Sequence, residues 1–469
     1  MNTLDIVIII AAVAAVLAIG LLSSRGNEST DDFLLAGKSI NKLQAGFSMA
    51  ATDFGGSGLV AAIGYCYVIG MSGIWWNLAA APAFLVVGLL LASKINRMDG
   101  ATLPEYLGNR YSPAVKYLAS VMHVMTNLVA LSVQLTVACA TLYSVTGIPV
   151  KYSLAISVIL VILLTSGGLK AVVNTDATLF VIIVCSVLLA VPIVLHAGGG
   201  LHAITAAVPD GFLSVGQLGF WTPFSWFLLC LLTYSTNQNY IQRMVSAKNE
   251  GTARFGACFT AGFYLLISLA IGLIGISTSV LLPEIGDTNM VFPEMLKAFF
   301  PHGLIGLGLA GVFAATISTG TSLLHATATL IVNDLYIPLK KGRAAGDRHD
   351  VLISRIVVLA VALFSTLISL YSSNIISVVY AAGLFYGVSV FMPMILGMFT
   401  DIVTEQAAVV SIVVTVAFSL LWEYVLHTSV PVIGAVPSNV MGLLVSTVLL
   451  LAVSAVTRKK AQPDDAEKQ

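Results

Sequence analysis

Four hydroxyls crowd two turns of one apolar stretch, GLAGVFAATISTGTSLLHATATLIVNDLY: Ser318, Thr319, Thr321 and Ser322. On a helix, Ser318 shares a face with Thr321 and Ser322, three and four residues on. Neutral hydroxyl oxygens are hard ligands that suit a small cation such as Na⁺. Joined by carbonyls freed from a broken neighbour, they can strip water from a monovalent ion without binding it too tightly. The competing account is that they bond back to their own helix or glue helices together, as hydroxyls often do in membranes.

A second stretch supplies the broken neighbour. Phe47 to Gly73 is long and apolar enough to cross a bilayer, yet it carries Asp53 and the run Gly55-Gly56-Ser57-Gly58. Glycine weakens a helix and leaves backbone groups open. At membrane depth such backbone is tolerated only where protein buries it or a wet cavity borders it. A close glycine contact between helices would explain the glycines but not the carboxylate, and an intramembrane carboxylate points to a functional site. The stretch therefore reads as the wall of an ion or solute site, with Gly55, Gly56 and Ser57 facing the solute.

These two stretches must be held by a polytopic membrane protein. The 469 residues are 58% hydrophobic and 9% charged, against about a quarter charged in soluble domains. Net charge is zero, which gives no basic surface for nucleic acid. The five cysteines, Cys66, Cys139, Cys185, Cys230 and Cys258, lie inside apolar runs with no paired spacing and read as small hydrophobes. At roughly 20 apolar residues per helix, about thirteen spans are expected. The first, from about Asp5 to Leu22, lacks a basic leader and reads as a retained helix. Of the 22 Lys and Arg, all but Lys151 and Lys297 fall on one face; by the positive-inside bias, the N-terminus is expected outside and the C-terminus in the cytoplasm. No Walker-type phosphate loop is present, so ATP hydrolysis supplies no drive.

Spans two to six start inside and spans seven to eleven start outside, as an inverted repeat requires. The first span of each half is the polar one: span two has the glycine run, and span seven has Thr233 to Tyr240, TYSTNQNY. The expected division is 1–42 for an N-terminal helix and cytoplasmic loop, 43–200 and 201–400 for the two halves, 401–457 for two peripheral helices, and 458–469 for a cytoplasmic tail.

Five segments in this order, DDFLLAGKS, GATLPEYLGNRY, GGLKAVVNTD, TNQNYIQRMVSAK and AATISTGTSLLHATATLIVNDLY, together with the Asp53 span, resemble the sodium/solute symporter family. The resemblance runs from about residue 30 to 400. It implies an all-α integral membrane protein of LeuT type, with a 5+5 inverted-repeat core among about thirteen transmembrane helices. It also implies a main Na⁺ site made by backbone carbonyls at Ala51, Phe54 and Ala315 and hydroxyls at Ser318 and Thr319. Asp53 falls where proline symporters carry an aspartate important for sodium coupling. Asp176, Thr321 and Ser322 match a second sodium site seen in some members; Asp176 has the alternative reading of capping its helix or pairing with Lys170.

The resemblance does not carry the solute across. Asn237 and Tyr240 match the sugar-binding members, but Asn77 stands where they have an acidic residue and Val379 where they have glutamine. Unpaired sugar hydroxyls are costly, so sugar is not expected. Tyr234 matches the proline members, while Ser57 and Cys230 replace tryptophans. Asn77, His123, Tyr234, Asn237 and Tyr240 are the expected solute contacts, with His123 alternatively a packed interhelical residue. Trp75 and Trp76 read as an interfacial belt, with a part in an outer gate as the alternative, and Arg243 as an anchor at the inner face. The expectation is a sodium-coupled importer of a small polar solute (amino acid, organic acid or vitamin-like anion) in the cell's inner or plasma membrane. A proton-coupled symporter and a symporter-like sensor are the alternatives. No motif supports an enzyme.

Overall fold

The computed structural model describes residues 2–23, 29–340, 348–370, 375–426 and 436–460. The tail beyond 460 and the side chain of Val379 lie outside the described residues. Among those residues the chain is helical, with one isolated backbone bridge between Ile40 and Ala247.

The main helices, in chain order, are α1 (Thr3–Ser23), α2 (Lys42–Asp53), α3 (Ala62–Ile69), α4 (Ala80–Val86), α5 (Pro113–Thr146), α6 (Val150–Thr165) and α7 (Gly168–Ala197). There follow α8 (Trp221–Thr236), α9 (Gln238–Val245), α10 (Glu250–Leu281), α11 (Leu304–Thr329), α12 (Arg348–Ser369), α13 (Ile375–Phe399), α14 (Glu405–Leu421) and α15 (Ser438–Lys460). Among the described residues, nine helical stretches are long and apolar enough to cross a membrane, and two more apolar helices are shorter. One of the nine, Ser57–Asn96, runs α3 and α4 together, and α2 and α8–α9 fall outside that count.

The breaks have local causes. Asn41 and Gln44 form a reciprocal capping box that starts α2, each side chain 3.0 Å from the other's backbone N–H. The helix stops where Phe54 leaves the helical region, at ψ 50°. It resumes through a wide turn over Ser57–Ala61 before α3. In the second half, α8 ends at Asn237, whose backbone is extended and whose side chain caps α9. The bridge at Ile40 and Ala247 ties the entry of the first broken span to the exit of the second.

Around these breaks α10 packs on α2, α3 and α4, and α8 packs on α4, which makes one bundle from the first two spans of each half. Outside it, α11 packs on α5, α6 and α7. Helix α1 lies against α7 and α11 and caps the latter in trans. The Asp5 carboxylate accepts from the Gly303 and Gly306 amides at 2.6 and 3.0 Å, satisfying two orphan donors of the helix N-terminus. The outer helices α14 and α15 pack on each other and on α13.

Charged groups from the polar loops meet at the ends of the spans. Arg110 pairs with Asp401 at 2.8 Å, Lys340 with Asp350 at 2.7 Å, and Arg97 with Glu250. Asp334, beyond the hydroxyl cluster, accepts from Thr102 at 2.8 Å and faces Lys116 at 3.6 Å. This joins the ends of the GATLPEYLGNRY and AATISTGTSLLHATATLIVNDLY segments.

Candidate functional site

The broken span and the hydroxyl-rich span lie side by side. Thr319 Oγ1 on α11 donates to the Thr52 carbonyl at 2.6 Å and lies 3.1 Å from the Ala315 carbonyl. A Cβ added to Gly55 would meet that same hydroxyl and Gln134 Oε1. Of the expected main sodium ligands, Thr319 and Ala315 thus meet the break at the Thr52 carbonyl, whereas the Ser318 hydroxyl donates to Asp176 at 2.6 Å. Ala51, Phe54, Ala315, Ser318 and Thr319 are all buried.

None of Gly55, Gly56 and Gly58 has a positive φ. Their role is space: a Cβ at Gly56 would sit 2.8 Å from Val137 on α5. The open amide of Gly56 is satisfied by Gln134 Oε1 at 2.9 Å. Gln134 is, with Asn127, one of two side-chain amides in α5, and such a polar group in an apolar span is a signal that the sequence analysis did not use. Neither Gly55 nor Gly56 lines the solute cavity.

Asp176 lies inside the protein rather than at a helix end. Its Oδ1 accepts from Ser318 at 2.6 Å, and its Oδ2 accepts from Ser48 at 2.6 Å and from Arg243 Nη2 at 2.7 Å. Arg243 is wholly buried and also donates to Ser48, Ser322 and the Asn239 carbonyl. This corrects two expectations: Arg243 is not an inner-face anchor, and the partner of Asp176 is not Lys170. The Thr321 hydroxyl turns back to the Ser318 carbonyl at 2.9 Å, so it does not join Asp176 and Ser322. The hydrogen-bonding reach of the expected second sodium site is filled by a guanidinium.

Asp53 sits on the other side of the break. Its Oδ2 accepts from Tyr234 at 2.7 Å, its Oδ1 accepts from Tyr240, and Tyr264 is a third hydroxyl neighbour. Tyr234 is held flat against Phe84, ring centroids 3.7 Å apart. The carboxylate borders a cavity of about 100 Å³ that is also lined by Ser57, Trp76, Asn77, Trp226, Cys230, Tyr234 and Tyr264. Trp76 Nε1 donates to the Ser57 carbonyl at 3.0 Å and Asn77 Nδ2 to the Gly58 carbonyl at 2.7 Å, so α4's leading turn satisfies the backbone opened by the break. Trp76 is thus a cavity wall and not an interfacial anchor. Trp75, more exposed, donates to the Val215 carbonyl. Trp226 and Tyr264 carried no motif that would have marked them.

His123 and Asn237 do not line this cavity. They form a separate buried knot: Asn237 Oδ1 lies 3.1 Å from His123 Nε2, Asn237 Nδ2 donates to Asn127, and the His123 ring stacks on Tyr386 with centroids 4.0 Å apart. The extended backbone at Asn237 turns its side chain toward α5 and away from the aromatic pocket. Tyr240 does not line the pocket but meets two residues that do, Asp53 through its hydroxyl and Tyr234 edge to face with centroids 5.0 Å apart. His325 bridges helices, with Nε2 2.9 Å from the Phe33 carbonyl.

The chain was compared with known proteins. The description "Sodium:solute symporter family" matches residues 33–415. The chain is 24% identical over 476 residues to the sodium/glucose cotransporter of Vibrio parahaemolyticus, covering 90% of this chain and 86% of that protein. It is 26% identical over 471 residues to the osmoregulated proline transporter OpuE of Bacillus subtilis, covering 96% and 94%. Its fold matches that of a Na⁺-coupled sialic acid symporter solved in a substrate-bound outward-open state, with a TM-score of 0.86 at 19% identity over 97% of this chain and 98% of that one.

Proposed function

Since the chain belongs to the sodium:solute symporter family, we propose that it imports a small polar solute by alternating access, with one sodium ion held where α11 meets the break between α2 and α3. The observation that carries this is the Thr319 hydroxyl seated between the Thr52 and Ala315 carbonyls. Hydroxyl and carbonyl oxygens from opposite halves of the repeat converge there, the donor set a monovalent hard cation takes. The carbonyls of Ala51, Phe54 and Ala315 and the hydroxyls of Ser318 and Thr319 would hold the ion. Bound there, it bridges the bundle to α11, so it favours the state in which the two are close, and it shifts the equilibrium only by that preference.

Arg243 supports a single sodium rather than two, because Asp176 and Ser322 already answer its charge. The solute, an amino acid, organic acid or vitamin-like anion in the range left by the sequence, binds between the broken α2–α3 and α8. The Lys and Arg asymmetry supports an external N-terminus and a cytoplasmic C-terminus in the plasma membrane.

The test is uptake into proteoliposomes. An inward sodium gradient drives accumulation, and replacing sodium with potassium abolishes it. Accumulation driven instead by a pH gradient in sodium-free medium overturns the coupling and replaces it with proton symport.

A further inference from the structure

The solute cavity holds a carboxylate with no basic partner. Among the described residues, no ion pair involves Asp53, and no Lys, Arg or His lines the cavity. Tyr234 and Tyr240 donate to its two oxygens, so both act as acceptors. Asp53 is not sealed off: it keeps part of its surface open where it borders the cavity. Four aromatic rings share the lining with small, aliphatic and neutral polar residues such as Ala80, Leu229, Ser57 and Thr233. Trp76 and Trp226 meet edge to face with centroids 5.4 Å apart, and Tyr234 and Tyr264 complete the lining beside Asp53.

An unbalanced carboxylate among aromatic faces attracts one kind of group. The ring faces stabilise a cation, most strongly when it is an ammonium shielded from water, and the carboxylate supplies the opposite charge. A bare metal ion is the poorer occupant, because hard ions need several oxygen ligands and these walls are mostly apolar. A plain organic anion would be repelled. An apolar cavity of about 150 Å³ accepts benzene, so about 100 Å³ suits a group no larger than a methylated ammonium head.

We propose that the transported solute carries a positively charged amine, and that its ammonium sits against Asp53 between Trp76, Trp226, Tyr234 and Tyr264. This rests on the symporter reading and narrows its solute to amino acids and other ammonium-bearing molecules. It also gives Asp53 to the solute rather than to sodium.

The test uses the purified full chain in detergent with sodium present. Methylammonium, tetramethylammonium, glucose and acetate are added separately, and melting is followed, since a ligand that binds the folded state stabilises it. At least one ammonium probe raises the melting temperature, and glucose and acetate do not. Absence of a shift with both ammonium probes, or a shift with glucose or acetate alone, overturns the proposal. In Asp53→Asn, affinity for the stabilising ammonium falls about thirtyfold, Asp53→Glu recovers part of it, and the sodium concentration for half-maximal stabilisation stays unchanged. A shift in the sodium requirement with ammonium affinity intact overturns it.

If Asp53→Asn does not fold, Trp226→Leu serves in its place, with a loss of about tenfold in ammonium affinity; an unchanged affinity overturns the proposal. Ser318→Ala with Thr319→Ala separates the two readings. Loss of sodium protection with ammonium binding kept supports both assignments. Sodium protection kept in that variant sinks the sodium site alone.

Discussion

Two carboxylates flank the break, and they differ in what balances them. Asp176 has Arg243 and four hydroxyls within reach. Removing one partner of such a buried pair strands the other charge, so Arg243→Met or Asp176→Asn alone is expected to cost about 3–5 kcal/mol of stability. The double substitution should cost much less than the two losses added, because no charge is left stranded; comparing melting temperatures of the three variants checks this. At the proposed sodium site, Ser318→Ala with Thr319→Ala would remove two of the proposed oxygen ligands. It should raise the half-saturating sodium concentration at least about tenfold, the equivalent of one ordinary hydrogen-bonding contact, read from sodium-dependent uptake. Ser318, Thr319 and Asp53 were legible in the sequence because polar groups stand out against an apolar span. Arg243 was not: it lies in a polar tract whose positive charge suggested a loop, and only the extended backbone at Asn237 carries that tract back into the protein as α9.

The elements that create the site are the two broken spans, and the glycine run announced one of them. What the run could not announce is why glycine is needed. The chain leaves the helix at Phe54, a residue with a Cβ, and the glycines allow α5 to come close. Gly56→Ala would press on Val137, its Cβ arriving 2.8 Å from a side-chain methyl. It would also disturb the Gln134 contact to the Gly56 amide. Transport should fall at least about tenfold, in line with overpacking costs of about 1–3 kcal/mol, and Val137→Ala in the same chain should restore most of it. Uptake rates for the single and double variants decide this; no recovery in the double variant would mean that the glycine serves something other than room. The second break was visible only as a polar tract, since Asn237 is extended in a sequence with no glycine or proline around it, and its position depends on the tertiary contacts of His123 and Asn127.

At the scale of the whole molecule, the bundle of α2–α3, α4, α8–α9 and α10 and the helices around α11 are joined across the break by a network of polar contacts, among them Thr319 to Thr52, Arg243 to Asp176 and Ser322, and Gln134 to Gly56. The charge asymmetry and the count of spans suggest two inverted halves, whereas which helices touch depends on packing that no single span encodes. If the two groups rock, the cavity must open and close, and the protein carries its own reporter. Cys230 lines the cavity beside Asp53 and is half-buried, while Cys66 and Cys139 are buried. With Cys185 and Cys258 replaced by serine, a membrane-impermeant maleimide added from the outside should label Cys230 faster in sodium than in potassium if the proposed coupling holds, since an importer's driving ion must favour the outward-facing arrangement. A saturating ammonium solute should slow that labelling by filling the cavity. Labelling at equal rates in both ions would mean that sodium does not set the outward population. Faster labelling in potassium would mean that the ion closes the outer side, the reverse of the coupling expected for an importer.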